Sequence, residues 1–348
     1  MKSEGDVFDI LLGQFPQHCQ KYYESVIDQN RAILARSSNS RGARNDIAVA
    51  CLMIGRYDEA LAELNTLEKY YPGKFETLAN FAALYRATGD YGRSIEYSVK
   101  ALRLNPEGNL GVGQYHLKML RFLESTSGPG AKVPTNSFLG FPYSDFPNSI
   151  SPDNPQRQSD HLTKLTTLMR AEPKFADGML ALGDYLYTKH DWRQAFVAYL
   201  RAKQLGHPNP QELDRRIDLV YGKLRLYVWT HTELPPRWLE DRDAADRSLA
   251  EDVAKAEGWL ARYQEIEAQM IPVGVEVAAA DVERELINRG FPRVVPRDYG
   301  LRRGGLGYVL TLHGLLITGS ISYAFLWIVL KFRKLVIRLT ETGKRVPA

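Results

Sequence analysis

The chain has 348 residues, of which 44% are apolar and 25% are charged, so it has ample apolar sequence for a core and is not a disordered chain. The formal net charge is only +4, and the basic residues are spread along most of the chain. This argues against a nucleic-acid-binding protein, because such proteins concentrate their basic residues on one face. Two cysteines are too few for a disulfide framework, and the place of Cys51 on an apolar stripe predicts a small core residue.

The first 40 residues predict an N-terminal helical segment. Residues 19 to about 37 carry apolar side chains, among them Val26, Ile27 and Leu34, at the spacing of one helix face. The start of the chain lacks the charged beginning and the continuous apolar stretch of a secretory signal.

Two copies of a 34-residue unit follow, in residues 41–74 and 75–108. Three pairs of equivalent positions are separated by 34 residues: Gly55 and Gly89, Tyr57 and Tyr91, Pro72 and Pro106. Apolar residues recur at helical spacing on both sides of each glycine, so each copy predicts two helices joined by a tight turn. Each proline closes its unit, because proline cannot continue a helix. With a further first helix in residues 110–124, the predicted repeat region is 41–124.

Residues 125–159 interrupt the repeats with an insertion rich in Gly, Pro and Ser, which predicts a long loop. The loop carries four aromatic residues: Phe138, Phe141, Tyr143 and Phe146. Two interpretations remain open, a lid that packs these rings against the repeats and an arm that binds a ligand. The lid is favoured, because buried aromatic rings mostly serve packing.

Residues 160–235 predict a further repeat and a capping helix. The second helix of the interrupted unit lies in 160–171, and a third clear copy follows, with Trp192 in the aromatic position and His190 in place of the turn glycine. Residues 211–228 predict the capping helix, and Pro235 and Pro236 end this region.

Residues 236–306 predict a long helix and a segment next to a membrane. Leu249, Ala256 and Tyr263 recur every seven residues, which suits either a short coiled coil or a long helix lying along the repeats. The second interpretation is favoured, since fewer than four heptads are present. Residues 281–288 predict a further short helix.

Residues 307–330 predict a transmembrane helix, followed by a basic tail in 331–348. The segment has 24 residues without a formal charge and is long enough to cross a hydrocarbon layer of about 30 Å. Tyr308 and Trp327 stand near its ends, where aromatic residues favour the membrane interface. A buried core helix is the alternative, but the segment is longer than an ordinary globular helix.

The predicted transmembrane helix also carries small residues on one face, which predicts pairing between two copies of the chain. The face consists of Gly307, Thr311, Gly314, Thr318 and Ser322. Five basic residues precede the helix and six follow it, so the positive-inside rule barely distinguishes the two orientations. Without a signal, the soluble part is predicted to be cytoplasmic with a C-terminal anchor, and a periplasmic location is the alternative.

No catalytic motif is found along the chain. None of the seven histidines stands in H-x-x-x-H or H-E-x-x-H spacing, and neither a G-x-S-x-G motif nor a phosphate-binding loop is present. The sequence therefore predicts no enzyme, no cofactor and no metal site.

The 34-residue units, with a Gly-x-Tyr turn and a closing proline, resemble the tetratricopeptide repeat (TPR). The opening FPQHCQKYYESVI also weakly resembles uncharacterised bacterial TPR proteins. The resemblance implies an all-α TPR helical solenoid, here with a C-terminal single transmembrane helix, in which the first helix of each repeat lines a partner-binding groove. The implied groove residues are Asn45, Val49, Leu52, Glu76, Ala79, Asn80, Ala83, Arg86, Asp177, Leu180, Asp184 and Tyr187.

The function that the resemblance implies is a membrane-anchored scaffold that binds a protein or peptide of unknown identity and contacts the lipid bilayer. Only Asn80 matches the residues with which some TPR domains clamp a terminal carboxylate of chaperones, so such a clamp is not predicted. Two alternatives are an exported TPR protein in cell-envelope assembly and an accessory subunit of a membrane enzyme or transporter.

Overall fold

The computed structural model describes residues 4–108, 111–147, 160–231, 241–271 and 277–294. In these residues the α-helix is the dominant element, and no strand is present apart from one isolated bridge between Asn136 and Pro142, so the all-α prediction is confirmed there. The α-helices are α1 (Glu4–Leu12), α2 (Gln20–Arg36), α3 (Arg41–Met53), α4 (Tyr57–Tyr70), α5 (Phe75–Ala87), α6 (Tyr91–Leu104), α7 (Gly113–Thr126), α8 (His161–Ala171), α9 (Ala176–Thr188), α10 (Trp192–Gln204), α11 (Pro210–His231), α12 (Arg242–Met270) and α13 (Ala279–Asn288). All of them, apart from the last residues of α11, belong to one compact unit.

The second helices α6 and α10 begin at aspartates whose side chains cap a free backbone N–H group of the first turn. The Asp90 carboxylate accepts from the Arg93 N–H at 2.9 Å, and the Asp191 carboxylate accepts from the Gln194 N–H at 3.2 Å. Both aspartates directly follow the turn residue of their helix pair. The turn and the cap together therefore define where α6 and α10 begin.

The turn residue of each helix pair adopts a left-handed backbone conformation. Gly55 has φ of 76° and Gly89 has φ of 78°. His190 occupies the same position between α9 and α10 with φ of 59°, and it is the one described residue other than glycine with positive φ. A side chain in this conformation costs about 1 kcal/mol or more, because its Cβ approaches the following carbonyl oxygen.

Replacing His190 with glycine is expected to stabilise the chain by about 1 kcal/mol, because glycine adopts positive φ without this clash. Chemical denaturation of the two proteins measures the change. Lys189→Gly is the matched control, since Lys189 has φ of −87° at the end of α9 and gains nothing from glycine. Equal destabilisation by both changes would show that the turn holds no such strain.

Neighbouring helices pack in chain order through one apolar cluster that runs from α2 to α5. Ile27, Ile47, Leu64 and Phe81 are buried in it. Cys51 is fully buried in the same cluster, which confirms its predicted place in the core. No helix pair could bury its apolar face alone, so each pair depends on the next.

The long helix α12 packs against other helices of its own chain. It contacts α1, α2, α10 and α13, and the residues of the heptad stripe, Leu249, Ala256 and Tyr263, are buried. A second apolar cluster joins Trp259 and Tyr263 to Cys19 at the start of α2. The stripe therefore serves intramolecular packing, as the favoured interpretation expects.

Helix α1 lies within the N-terminal segment 1–40 and is deeply buried. Ile10 and Leu11 have no exposed surface, and the helix contacts α8, α10 and α12. Nine residues are too few to form a stable helix alone, so these contacts supply its stability.

The predicted transmembrane helix 307–330, its small-residue face and the basic tail lie outside the described residues. Among the helices that are described, none has both the length and the apolarity needed to cross a bilayer.

Candidate partner-binding groove

A groove of about 900 Å³ runs along the first helices of the two complete repeats. Helix α3 contributes Asn45, Val49 and Leu52 to its wall. Helix α5 contributes Glu76, Ala79, Asn80, Ala83 and Arg86. Spacings of three and four residues place each set on one helix face, so eight of the twelve predicted residues are brought together in one surface.

The floor of the groove is built from small residues. Ala79 and Ala83 are half-buried on α5, and Gly108 and Gly113 close the groove at the turn into α7. A Cβ atom on Gly108 would lie 2.3 Å from the Phe75 ring, so glycine is required for this close approach. Small side chains therefore leave this part of the groove open.

Two asparagines connect the walls of the groove. The Asn80 side-chain amide donates to the Asn45 side-chain oxygen at 2.8 Å, which ties α5 to α3. Both side chains also face the groove. This hydrogen bond gives Asn80 a packing role, so its presence in the groove does not indicate a carboxylate clamp.

The charged end of the groove contains one ion pair. Arg86 donates to Glu172, which follows α8, at 2.8 Å. Burial raises the pKa of Glu172 to about 7, although the Arg86 charge acts in the opposite direction. Burial, assisted by Arg86, lowers the pKa of the nearby His116 to about 4, so this histidine is neutral at physiological pH.

The groove residues predicted from the third repeat copy do not lie in this surface. Asp177, Leu180 and Asp184 are buried, and Tyr187 is only partly exposed. The physical reason is that the insertion loop packs on Asp177 and Tyr187, while Arg216 of α11 pairs with Asp184. A repeat position lines an open groove only where no other segment packs over it, so the prediction is wrong for these positions.

The insertion loop is a lid in the structure. Phe138, Tyr143 and Phe146 are buried and Phe141 is half-buried. The Phe146 ring packs against Tyr187, with 5.0 Å between ring centroids. These contacts agree with the interpretation of the loop as a lid that packs on the repeats. The lid closes the groove at the third repeat copy.

Two buried carboxylates of α9 hold the lid and the capping helix in place. Asp177 accepts from the Phe138 backbone N–H and the Tyr143 hydroxyl, each at 2.5 Å, and His207 lies 2.9 Å away. Burial first and Asp177 second raise the pKa of the Tyr143 hydroxyl far above its usual range, so it stays protonated and donates.

The second carboxylate, Asp184, accepts from the Tyr199 hydroxyl at 2.7 Å and from the Arg216 guanidinium at 2.9 Å. Burial raises the pKa of Asp184, and the Arg216 charge opposes this effect. Arg216 lies over the Phe146 ring at 4.4 Å, so α9, α11 and the lid meet at one guanidinium group.

One wall of the groove was missed in the sequence analysis, the segment Phe15 to His18 between α1 and α2. It is held by the buried Glu267 of α12, whose carboxylate lies 2.6 Å from His18 Nδ1 and accepts from the Cys19 N–H at 2.6 Å. The carboxylate also compensates the positive end of the α2 dipole. Because 248 residues separate Cys19 and Glu267, no local pattern indicates this contact.

Among the residues that the structure describes, no cluster of His, Cys, Asp and Glu side chains is arranged to hold a metal ion. No protein-family model matches the chain, and no curated protein matches its sequence.

Proposed function

We propose that this chain is a TPR scaffold that binds an extended peptide segment of another protein in the groove between α3, α5 and the N-terminal segment. The observation that carries the proposal is the common surface of eight residues on the first helices of two consecutive 34-residue units. A cavity of about 900 Å³ has the size of a ligand-binding site.

The lining of the groove supports a peptide ligand. Most of the wall is apolar, which favours burial of apolar side chains, while the Asn45 and Asn80 amides supply hydrogen-bonding groups of the kind that a peptide backbone needs. We also propose that residues 307–330 anchor the scaffold in a membrane, with the repeats on the cytoplasmic side, and that it requires no cofactor. The scaffold would then present its groove at the membrane surface.

Site-specific photocross-linking tests the groove. A photoreactive phenylalanine analogue replaces Ala83 on the groove floor in the full chain, and the control replaces Asn65, which is exposed on α4 and does not line the groove. Irradiation in cells is expected to give a discrete adduct with one protein from position 83 and none from position 65.

A groove-filling change supplies the second arm of the experiment. Ala79→Leu adds bulk next to position 83 and is expected to reduce the yield of the adduct severalfold, because the peptide loses its room. Adducts of equal yield from positions 83 and 65, or a yield that Ala79→Leu does not change, would contradict the proposed binding site.

A further inference from the structure

The Arg86 guanidinium is only partly used by the protein. Its one hydrogen bond within the described residues goes from Nη1 to Glu172 at 2.8 Å, and 30% of the side chain is exposed. The Nε and Nη2 groups form the other edge of the guanidinium. Two parallel N–H donors on one edge are the arrangement that a carboxylate binds with both oxygens.

The charges around this edge favour an anion. His116 on α7 is the neighbouring titratable group, and it is neutral because burial lowers its pKa to about 4. Arg170 lies near the end of α8 and adds a second positive charge to the same lining. Glu76 is ten residues away from Arg86 on α5, which corresponds to about 15 Å along the helix, and His18 on the opposite wall is paired with Glu267.

Among the described residues, Glu172 is the carboxylate that forms an ion pair with Arg86, and it compensates Arg86 incompletely. Burial raises the pKa of its carboxyl group to about 7, so this group titrates near neutral pH. A second carboxylate on Arg86 would repel the charge on Glu172 and raise its pKa further.

We propose that the free edge of Arg86 binds a carboxylate of an acidic peptide, and that Glu172 takes up a proton from solvent when the peptide binds. The inference rests on the proposed function, since it names the chemistry of the segment that the groove holds. The carboxylate belongs either to an Asp or Glu side chain or to the end of a peptide chain, and these sources share the same two acceptor oxygens.

The consequence is an affinity that rises as the pH falls from 8 to 6. Over this range the ligand carboxylate stays ionised, since its pKa is near 4, while Glu172 gains the proton that binding requires. If the ligand raises the pKa of Glu172 by about one unit, the affinity is roughly fivefold higher at pH 6 than at pH 8.

The experiment starts with a displayed library of random eight-residue peptides, selected on the full chain in detergent. Selected peptides are expected to carry Asp or Glu at one position, and this enrichment should be lost on the Arg86→Gln protein. A selected peptide is then synthesised in three forms: unchanged, with its acidic residue replaced by the matching amide, and with an amidated C-terminus. Titration calorimetry at pH 6, 7 and 8 gives the dissociation constants, and circular dichroism checks that each variant is folded.

Glu172→Gln and Arg86→Lys separate the two parts of the inference. Glu172→Gln should bind the unchanged peptide with an affinity that is flat between pH 6 and 8. Arg86→Lys keeps the charge but loses the bidentate edge, so at least a tenfold loss of affinity is expected, in line with the loss of a charged hydrogen bond. Loss of affinity of the amide-substituted peptide for the wild-type protein would identify a side-chain carboxylate as the ligand. Loss of affinity of the C-terminally amidated peptide would identify the terminal carboxylate.

Three results would overturn the inference while leaving the groove intact: selected peptides without an acidic residue, equal affinity of all three synthetic forms, or a pH dependence that persists in Glu172→Gln. A library that yields no binder, or binders that Ala79→Leu does not affect, would instead contradict the proposed function itself.

Discussion

Replacing Asp177 with asparagine is expected to lower the free energy of unfolding by about 1 to 3 kcal/mol, the range for leaving a buried hydrogen-bonding group without its partner. The carboxylate is fully buried and accepts from the Phe138 N–H and the Tyr143 hydroxyl of the lid, and it also contacts His207. An asparagine of the same shape turns one acceptor atom into an NH₂ group. That group meets donors in the buried site, which leaves hydrogen bonds unmade.

Denaturant titration measures this loss, and limited proteolysis locates it. Cleavage within residues 128–147 should become faster in the variant, because the lid is released from α9. Asp145→Asn makes the same chemical change on the exposed surface of the lid and should alter stability by about 0.5 kcal/mol or less. If Asp177→Asn is as mild as Asp145→Asn, the carboxylate does not hold the lid.

The helix pairs were predictable because their signals are local. The turn glycines, the closing prolines and the apolar spacing all fall within one 34-residue unit, and the structure forms α3 to α6 from those residues. Even the exception follows the rule, since His190 adopts the left-handed conformation that the glycines adopt in the other copies. Helix boundaries and turn conformations that depend on neighbouring residues can therefore be predicted from one sequence.

The segment that packs against each helix face was less predictable. Periodicity separates the apolar face of a helix from its polar face, but it does not show which segment packs on either face. Glu76 and Asp177 hold comparable positions on the first helices of two repeats, yet Glu76 lines the groove and Asp177 is buried under the lid. Phe138, which covers Asp177, lies 39 residues away in a segment without periodicity. The groove wall held by Glu267 depends on an even longer separation.

The pKa values of the ionisable side chains in the groove could not be predicted from the sequence either. Glu172 follows a helix and precedes a proline, a common place for an exposed carboxylate. Its raised pKa comes from burial, which only the packed structure reveals. The same desolvation acts on His116 with the opposite sign, since burial disfavours the charged form of both groups.

Replacing Arg216 with methionine is expected to cost about 3 to 5 kcal/mol of stability, because it leaves the Asp184 carboxylate buried without its positive partner. The Arg216 side chain is only 2% exposed, and its Nε lies 2.9 Å from Asp184. Arg247→Met is the control, since that side chain is 68% exposed and its closest carboxylate oxygen is 3.9 Å away. The control should change stability by about 0.5 kcal/mol or less.

A double-mutant cycle with Asp184→Leu separates the cost of an unpaired charge from the cost of lost packing. Arg216→Met leaves the buried Asp184 charge without its positive partner, and Asp184→Leu leaves Arg216 with Glu212, 3.2 Å away, as its remaining carboxylate partner. The double change removes the Arg216–Asp184 pair and fills the space with apolar atoms. The double variant should therefore be more stable than the sum of the single effects predicts, by at least about 2 kcal/mol. The Tyr199 hydroxyl loses its acceptor in both proteins that carry Asp184→Leu, so this loss cancels in the cycle. Additive single effects would mean that Arg216 stabilises the junction of α9, α11 and the lid through its stacking on Phe146 and not through its charge.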